Sequence, residues 1–295
     1  TGPVRDITVQ DCTLYTVEDT SGWSAEDWDT RATSGIGADG SGIVIRDNHL
    51  KNVNFGISVG ASDSLIEGNV VENFSGDGMR GLGDDSVFQY NTVMNCYDVN
   101  DNHDDGFQSW SNGEDGVGTG VVRNITLRGN VFLNFTDPEQ PHRGPLQGIG
   151  CFDGTYEGWV VENNVVVVDH WHGITFMGSR DMTVVNNTVV DADPDSGVGP
   201  PWIRLSAHKD GTEPSGGLVR NNLVTDLSLA SAITQDHNLE IDDYGVHFAG
   251  WPMDLRLVED SPAIDAGSAD EAPTHDADGK ERPLGEGIDI GAYEY

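Results

Sequence analysis

Basic residues are scarce in this chain: 15 Lys and Arg stand against 50 Asp and Glu in 295 residues, a formal net charge of -35. That imbalance excludes nucleic acid as a partner, because phosphate binding draws its affinity from clustered Lys and Arg. Cysteine is scarce too. Cys12, Cys96 and Cys151 are an odd number with no close pair, which excludes a disulfide framework and a zinc cluster and leaves buried free thiols as the expectation. No apolar run approaches the ~20 residues of a membrane helix, so no membrane insertion is expected. Helix-favouring filler of the Ala, Leu, Glu and Lys kind is thin. Residues 1–10 already read as a strand, which leaves room upstream for a removed export segment or further coils.

What the chain has in abundance is turn and strand material: 38 Gly, with Asn, Asp, Val and Thr recurring throughout. The acidic surface suits a secreted, periplasmic or extracellular protein in salty surroundings and offers oxygen ligands to hard cations such as Ca2+. One motif recurs along most of the sequence. VIRDNHLKNV from Val44, LIEGNVVENF from Leu65, VFQYNTVMNC from Val87, TLRGNVFLNF from Thr126, VVENNVVVVD from Val160, TVVNNTVVDA from Thr183 and LVRNNLVTDL from Leu218 each join two β-prone runs through an Asn. The aligned residues are Asn48, Asn69, Asn91, Asn130, Asn164, Asn187 and Asn222, spaced by about two dozen residues, with longer gaps where loops must be inserted. This is the signature of a solenoid whose units bury their apolar faces against their neighbours. Asn suits the bends because it tolerates left-handed backbone angles and because stacked amides can hydrogen-bond from coil to coil.

A further strand falls between these motifs, at Gly56–Val59, Gly78–Leu82, Gly106–Trp110, Gly148–Phe152 and Gly173–Met177, continued at Trp202–Ser206. Side chains alternate across a strand, so Ile57, Met79, Phe107, Ile149, Ile174 and Ile203 form an interior column. Ser58, Arg80, Gln108, Gly150, Thr175 and Arg204 then face outward, with Trp110 and Phe152 one step along.

The Gly-Ile/Phe strands and Asn-Asn bends, over approximately Ile7 to Leu227, resemble the pectate-lyase-like parallel β-helix proteins, which include polysaccharide lyases, uronan C5 epimerases, glycoside hydrolases and phage tailspikes. The resemblance implies an all-β, right-handed parallel β-helix with inserted loops, over residues 1–260. The tail 261–295 (SPAIDAGS, DADGKERP, IDIGAYEY) resembles a terminal segment of secreted members that caps the last coil on the same domain. A monomer is expected.

Chemistry is expected on the outer wall of the Gly-led strands. Asp77 and Asp105 should be near neighbours, since adjacent coils lie ~4.8 Å apart; with Asp104 they form a candidate calcium site. His103, Gln108 and Trp110 share that coil. Arg143 and Gln147, then His170, Trp171 and His172 beside Phe152, then Trp202, Arg204, His208 and Lys209 follow on later coils. An extended acidic polysaccharide lying along the axis would meet them in turn, with the aromatics stacking on sugar rings. Neutralising a uronate carboxylate acidifies its C5 proton, and a base removes it. In lyases of the resembled group the base is often Lys or Arg and the acid Arg or His, which points to Lys209, Arg204 and Arg80. The epimerases carry a His and an Asp on one coil, which points to His103 and Asp105, although their Tyr and Asp-Pro-His-Glu motif is not reproduced here. His172 is a further candidate because its column holds acids. A polysaccharide lyase acting by β-elimination is thus the leading expectation, with an epimerase, a glycoside hydrolase or a non-catalytic glycan-binding module as alternatives.

Overall fold

The computed structural model describes residues 4–295; Thr1, Gly2 and Pro3, the start of the expected first strand, lie outside the described residues, and the strand occupies Thr8–Gln10. Successive coils each lay one short strand on each of three parallel sheets. The first sheet has nine strands, from Thr8–Gln10 to Thr234–Asp236; the second has nine, from Thr13–Tyr15 to Leu239–Glu240; the third has eight, from Ile36–Ala38 to Asp226–Leu229. The fold is therefore the expected parallel β-helix, and it continues one coil beyond Leu227. Among the described residues no helix is long and apolar enough to cross a membrane.

The interior is filled by one column per sheet. Ile57, Met79, Phe107, Ile149, Ile174 and Ile203 pair in register along the third sheet and are buried, as the alternation predicts. Each such side chain contributes ~1.5–3 kcal/mol by leaving water. Gly56, Gly78, Gly106 and Gly148 lead these strands because the coils approach closely there. A Cβ at Gly56 or Gly148 would lie 2.3 Å from the carbonyl oxygen of the next glycine in the column.

The aligned asparagines form a buried ladder, but not by the backbone angle expected of them. The left-handed residue is the one before each: Asp47, Tyr90, Asn163, Asn186 and Asn221 have φ of 53–55°. The ladder Asn is instead spent on hydrogen bonds. In each step its Nδ2 donates to the next Asn Oδ1, as from Asn69 to Asn91 at 2.9 Å, and to a first-sheet carbonyl, as to Ile45 at 2.9 Å. The ladder gains an eighth member, Asn238, which accepts from Asn222 Nδ2 at 2.9 Å. Of the three thiols, Cys96 and Cys151 are buried but Cys12 is exposed, because it lies on the first coil, where no earlier turn covers it.

Residues 261–295 lie along the flank of the coils. Asn163, Asn186 and Asn221 donate to the carbonyls of His275, Asp289 and Ser268, and Ile290 and Ala292 join an apolar cluster with the outward Val165, Val167, Val190 and Leu223 of the second sheet. The longer insertions all flank the third sheet. Residues 97–104, 135–146 and 192–201 precede its strands, and 111–120 and 207–217 follow them, so two rims rise beside its outer face.

Candidate functional site

The outward column of the third sheet runs Ser58, Arg80, Gln108, Gly150, Thr175, Arg204, each paired in register with the next. Gly150 interrupts it. A Cβ there would stand 2.1 Å from Asp105 Oδ1 and 2.7 Å from the Phe152 ring, so its bare backbone is what admits both groups to the floor. Phe152 reaches that place through a β-bulge: Ser109 pairs with Cys151 but Trp110 pairs with Asp153, leaving Phe152 as the extra residue. A second irregularity lies between His172 and Ile174, and it brings Trp202 into the column of His172.

On one side of Phe152 sits an acid–histidine cluster. The rim segment 97–104 carries His103 into position. It is anchored by the stacking of Tyr97 on Trp28 of the helix Ala25–Arg31, at 4.3 Å, and by Asn100 Nδ2 donating to Asp29 at 2.7 Å. His103 Nδ1 lies 3.0 Å from Asp105 Oδ2, which also accepts from Gln108 Nε2 at 2.9 Å. Asp105 is wholly buried, and desolvation drives its carboxyl well above the usual range, opposed by the contact with His103. The same hydrogen bond, helped by the nearby carboxylates, raises the His103 imidazole above its ordinary value despite partial burial. Asp77 Oδ1 accepts the Asp105 backbone N–H, and Asp77 Oδ2 accepts from Arg80 Nε at 2.5 Å. The Arg80 guanidinium lies 3.8 Å from the Phe55 ring centroid and 5.4 Å from that of Trp110. Phe55, Asp77, Arg80, Asp101, His103 and Gln108 enclose a cleft of about 250 Å³.

On the other side is a histidine–tryptophan cluster. Phe152 meets His172 edge-on at 4.8 Å, and His172 meets Trp202 at 5.5 Å. His172 Nδ1 is 2.9 Å from Thr175 Oγ1, which also accepts from Trp202 Nε1 at 3.0 Å. His170 stacks on His172 at 5.1 Å. Burial, reinforced by His170 and Arg204, pushes His172 down to about 4; burial does the same to His170. Arg204 lies 5.1 Å from the Trp202 ring centroid, and its Nε is buried without a partner.

The remaining expected residues are at the edges. Arg143 pairs with Asp193 at 2.8 Å on the rim that precedes the strands, where Trp171 Nε1 also donates to Gly199. Lys209 pairs with Asp153 at 2.7 Å on the opposite rim, and His208 faces Asp210. Arg80 and Lys209, expected as reacting groups, are thus held in ion pairs, whereas Arg204 is not. Gln147 is buried beside Asp105, its Oε1 without a partner.

The three carboxylates expected to hold calcium are each engaged by other groups of the chain. Calcium takes six to eight oxygens. Here both oxygens of Asp77 are engaged by Arg80 and by a backbone N–H, one oxygen of Asp105 is engaged by His103 and Gln108, and Asp104 turns away to accept from Cys96 Sγ at 3.3 Å. Among the described residues no three His, Cys, Asp or Glu side chains gather to hold a metal ion. Asp104 precedes the strand Asp105–Trp110 and its carboxyl turns to Cys96 while that of Asp105 turns to His103, so the two do not face one ion.

Reading the sequence alone missed Gly150 and Thr175. Gly150 carried a signal, since it is the one position without a side chain in an otherwise polar outward column; Thr175 carried none, because its role depends on a bulge.

A search of the curated proteins finds no match. Among solved structures, one described as a crystal structure of pectate lyase Pel9A aligns over 99% of this chain and 97% of that one, at 13% identity and a TM-score of 0.45. The family model described as a right handed beta helix region matches residues 34–194, more than half of the sequence, and the chain belongs to that family.

Proposed function

We propose that the protein cleaves a uronate-containing polysaccharide by β-elimination on the outer face of the third sheet. The observation that carries this reading is the arrangement around Phe152: Arg204, free of any carboxylate, stands one coil from a histidine that burial keeps neutral, and a histidine whose pKa is raised by its hydrogen bond to Asp105 lies on the far side of the ring.

Arg204 binds the uronate carboxylate and draws charge from C5. His172, in the tautomer whose Nδ1–H donates to Thr175 Oγ1, presents an unprotonated Nε2 that takes the C5 proton. The electron pair left at C5 becomes the C4–C5 double bond as the C4–O4 bond breaks. O4 takes a proton from the His103 imidazolium, whose charge Asp105 stabilises. No water enters the products: one is an unsaturated uronate and the other a shortened chain with a restored hydroxyl. Phe152, Trp202 and Trp171 offer ring faces to the sugars. A secreted or periplasmic location fits a polymer substrate.

The test is absorbance in the unsaturated-uronate band on a panel of alginate, pectate, glucuronan and glycosaminoglycans, for the wild type and for His172→Ala. A rise that falls at least ~100-fold in the variant supports the reading, since general-base catalysis contributes about that much or more. Solvent deuterium entering the polymer without a rise means C5 epimerisation. New reducing ends without a rise mean hydrolysis. Either result refutes elimination.

A further inference from the structure

The cations beside the groove are unequally available. Arg80 is paired with Asp77 on the floor, Arg143 with Asp193 on one rim, and Lys209 with Asp153 on the other, at 2.5, 2.8 and 2.7 Å. Arg204 alone among these four faces no carboxylate, and its buried Nε lacks a partner. Around them the chain carries a formal net charge of -35. A sugar residue in an extended glycan advances by a length similar to the ~4.8 Å between coils. A polymer made only of free uronates would therefore bring a carboxylate to nearly every coil, where one unpaired cation and many acidic side chains await it. Like charges held within a Debye length, ~10 Å at 0.1 M salt, are not screened from one another. The rest of the floor is suited to uncharged sugars: the aromatic Phe152 and Trp202, the bare backbone at Gly150 and the hydroxyl of Thr175 line it.

We propose that this groove selects polysaccharides whose free uronates are separated by neutral or esterified sugars, with Arg204 reading the single carboxylate, and that it discriminates against polymers of free uronate alone. The proposal rests on the groove being the polysaccharide site but not on the elimination step, so it is tested by binding. The ion pairs on the rims are part of the discrimination: Asp153 and Asp193 neutralise cations that would otherwise attract a polyanion.

Affinity electrophoresis through gels containing polygalacturonate, alginate or their partly esterified forms reads the preference directly. At low salt the esterified polymers are expected to retard the protein at about fivefold lower concentration than the free acids, a gap that narrows as added salt screens the repulsion. Arg204→Gln removes the retardation by the esterified polymers. Asp153→Asn and Asp193→Asn release Lys209 and Arg143 and bring the free acids to within about twofold of the esters. Asp270→Asn, which frees a contact of Arg220 on the first sheet, makes the same change in net charge away from the groove and leaves the preference unchanged. The proposal is overturned if the free acids bind as well as the esters, if Asp153→Asn and Asp193→Asn behave like Asp270→Asn, or if neither form of either polymer binds. Unsaturated product is measured in parallel; its absence while the binding preference stands removes the elimination reading alone.

Discussion

Replacing Asn130 with Ala tests the ladder where it is deepest. The Asn130 side chain makes four hydrogen bonds: Oδ1 accepts from the backbone N–H and Nδ2 of Asn91 at 3.1 and 2.9 Å, and Nδ2 donates to Phe88 O and Asn164 Oδ1 at 2.9 and 3.0 Å. Asn164 Oδ1 keeps a partner in the Asn130 backbone N–H, and Asn91 Nδ2 keeps Ile66 O. The Asn91 backbone N–H and one Nδ2 hydrogen are left without acceptors in a site no water reaches. Two stranded donors at ~1–3 kcal/mol each, with two further bonds lost at ~0.5–1.5 kcal/mol each, give about 3–9 kcal/mol. The comparison is Asn238→Ala at the last rung, where the accepted bonds from Asn222 are only partly buried and water can replace them. There the loss is ~1 kcal/mol. Urea unfolding followed by circular dichroism reads both, provided the slope with denaturant is unchanged. Equal losses in the two variants, each under about 1 kcal/mol, would refute the claim that burial of the ladder is what makes it matter.

Three further outcomes follow from the titrating and close-packed groups. If the proposed elimination holds, kcat/KM rises as pH rises through about 4, where His172 becomes a base, and falls as pH rises through the His103 value, which lies above the ordinary 6.5; a pH–rate profile lacking the acid limb removes His172 from its role. Asp104, pushed up to about 7 by burial, binds its proton more tightly folded than unfolded, so its stabilisation is complete below about 4 and is lost as pH rises to about 7; the difference is at most ~4 kcal/mol, and Asp104→Asn should flatten the melting temperature across that window. Gly150→Ala forces a methyl group against Asp105 and Phe152, at a cost of ~1–3 kcal/mol, and should lower kcat more than it lowers stability; unchanged turnover would show that the bare floor at Gly150 is not needed.

The fold was legible because its cause is periodic. An Asn, an inward apolar residue and a close-packed Gly recur once per coil, so Asn69, Met79 and Gly106 could each be assigned from their neighbours in the pattern. The outward column could be written down for the same reason, and its register is as expected from Ser58 to Arg204. What the period does not contain could not be read. The bulge at Phe152 adds one residue to a strand, and nothing in the local sequence distinguishes that residue from a regular member. The backbone angle was assigned to the wrong residue, to Asn48 instead of Asp47, because two adjacent turn-forming residues look alike until burial decides which one is the ladder. Asp77, Asp104 and Asp105 look like a cation site because the sequence hides the partner each carboxyl takes, Arg80, Cys96 and His103.

Ion pairing was equally hidden, and it changes the chemistry most. Arg80, Arg204 and Lys209 are alike in composition, and nothing in the residues themselves ranks them. In space, Asp77 comes from the strand approach that also carries Arg80, whereas Asp153 reaches Lys209 from a coil 56 residues earlier. A cation with a carboxylate at hydrogen-bond distance must surrender that partner before it can hold a substrate carboxylate, and the exchange returns little of the gross attraction. Arg204 surrenders nothing. On the proposed reading the group that places a uronate is therefore the one whose paired and stacked neighbours, Trp202, Thr175 and Ser228, are uncharged, and that property belongs to the stacking of coils and not to any segment of the chain.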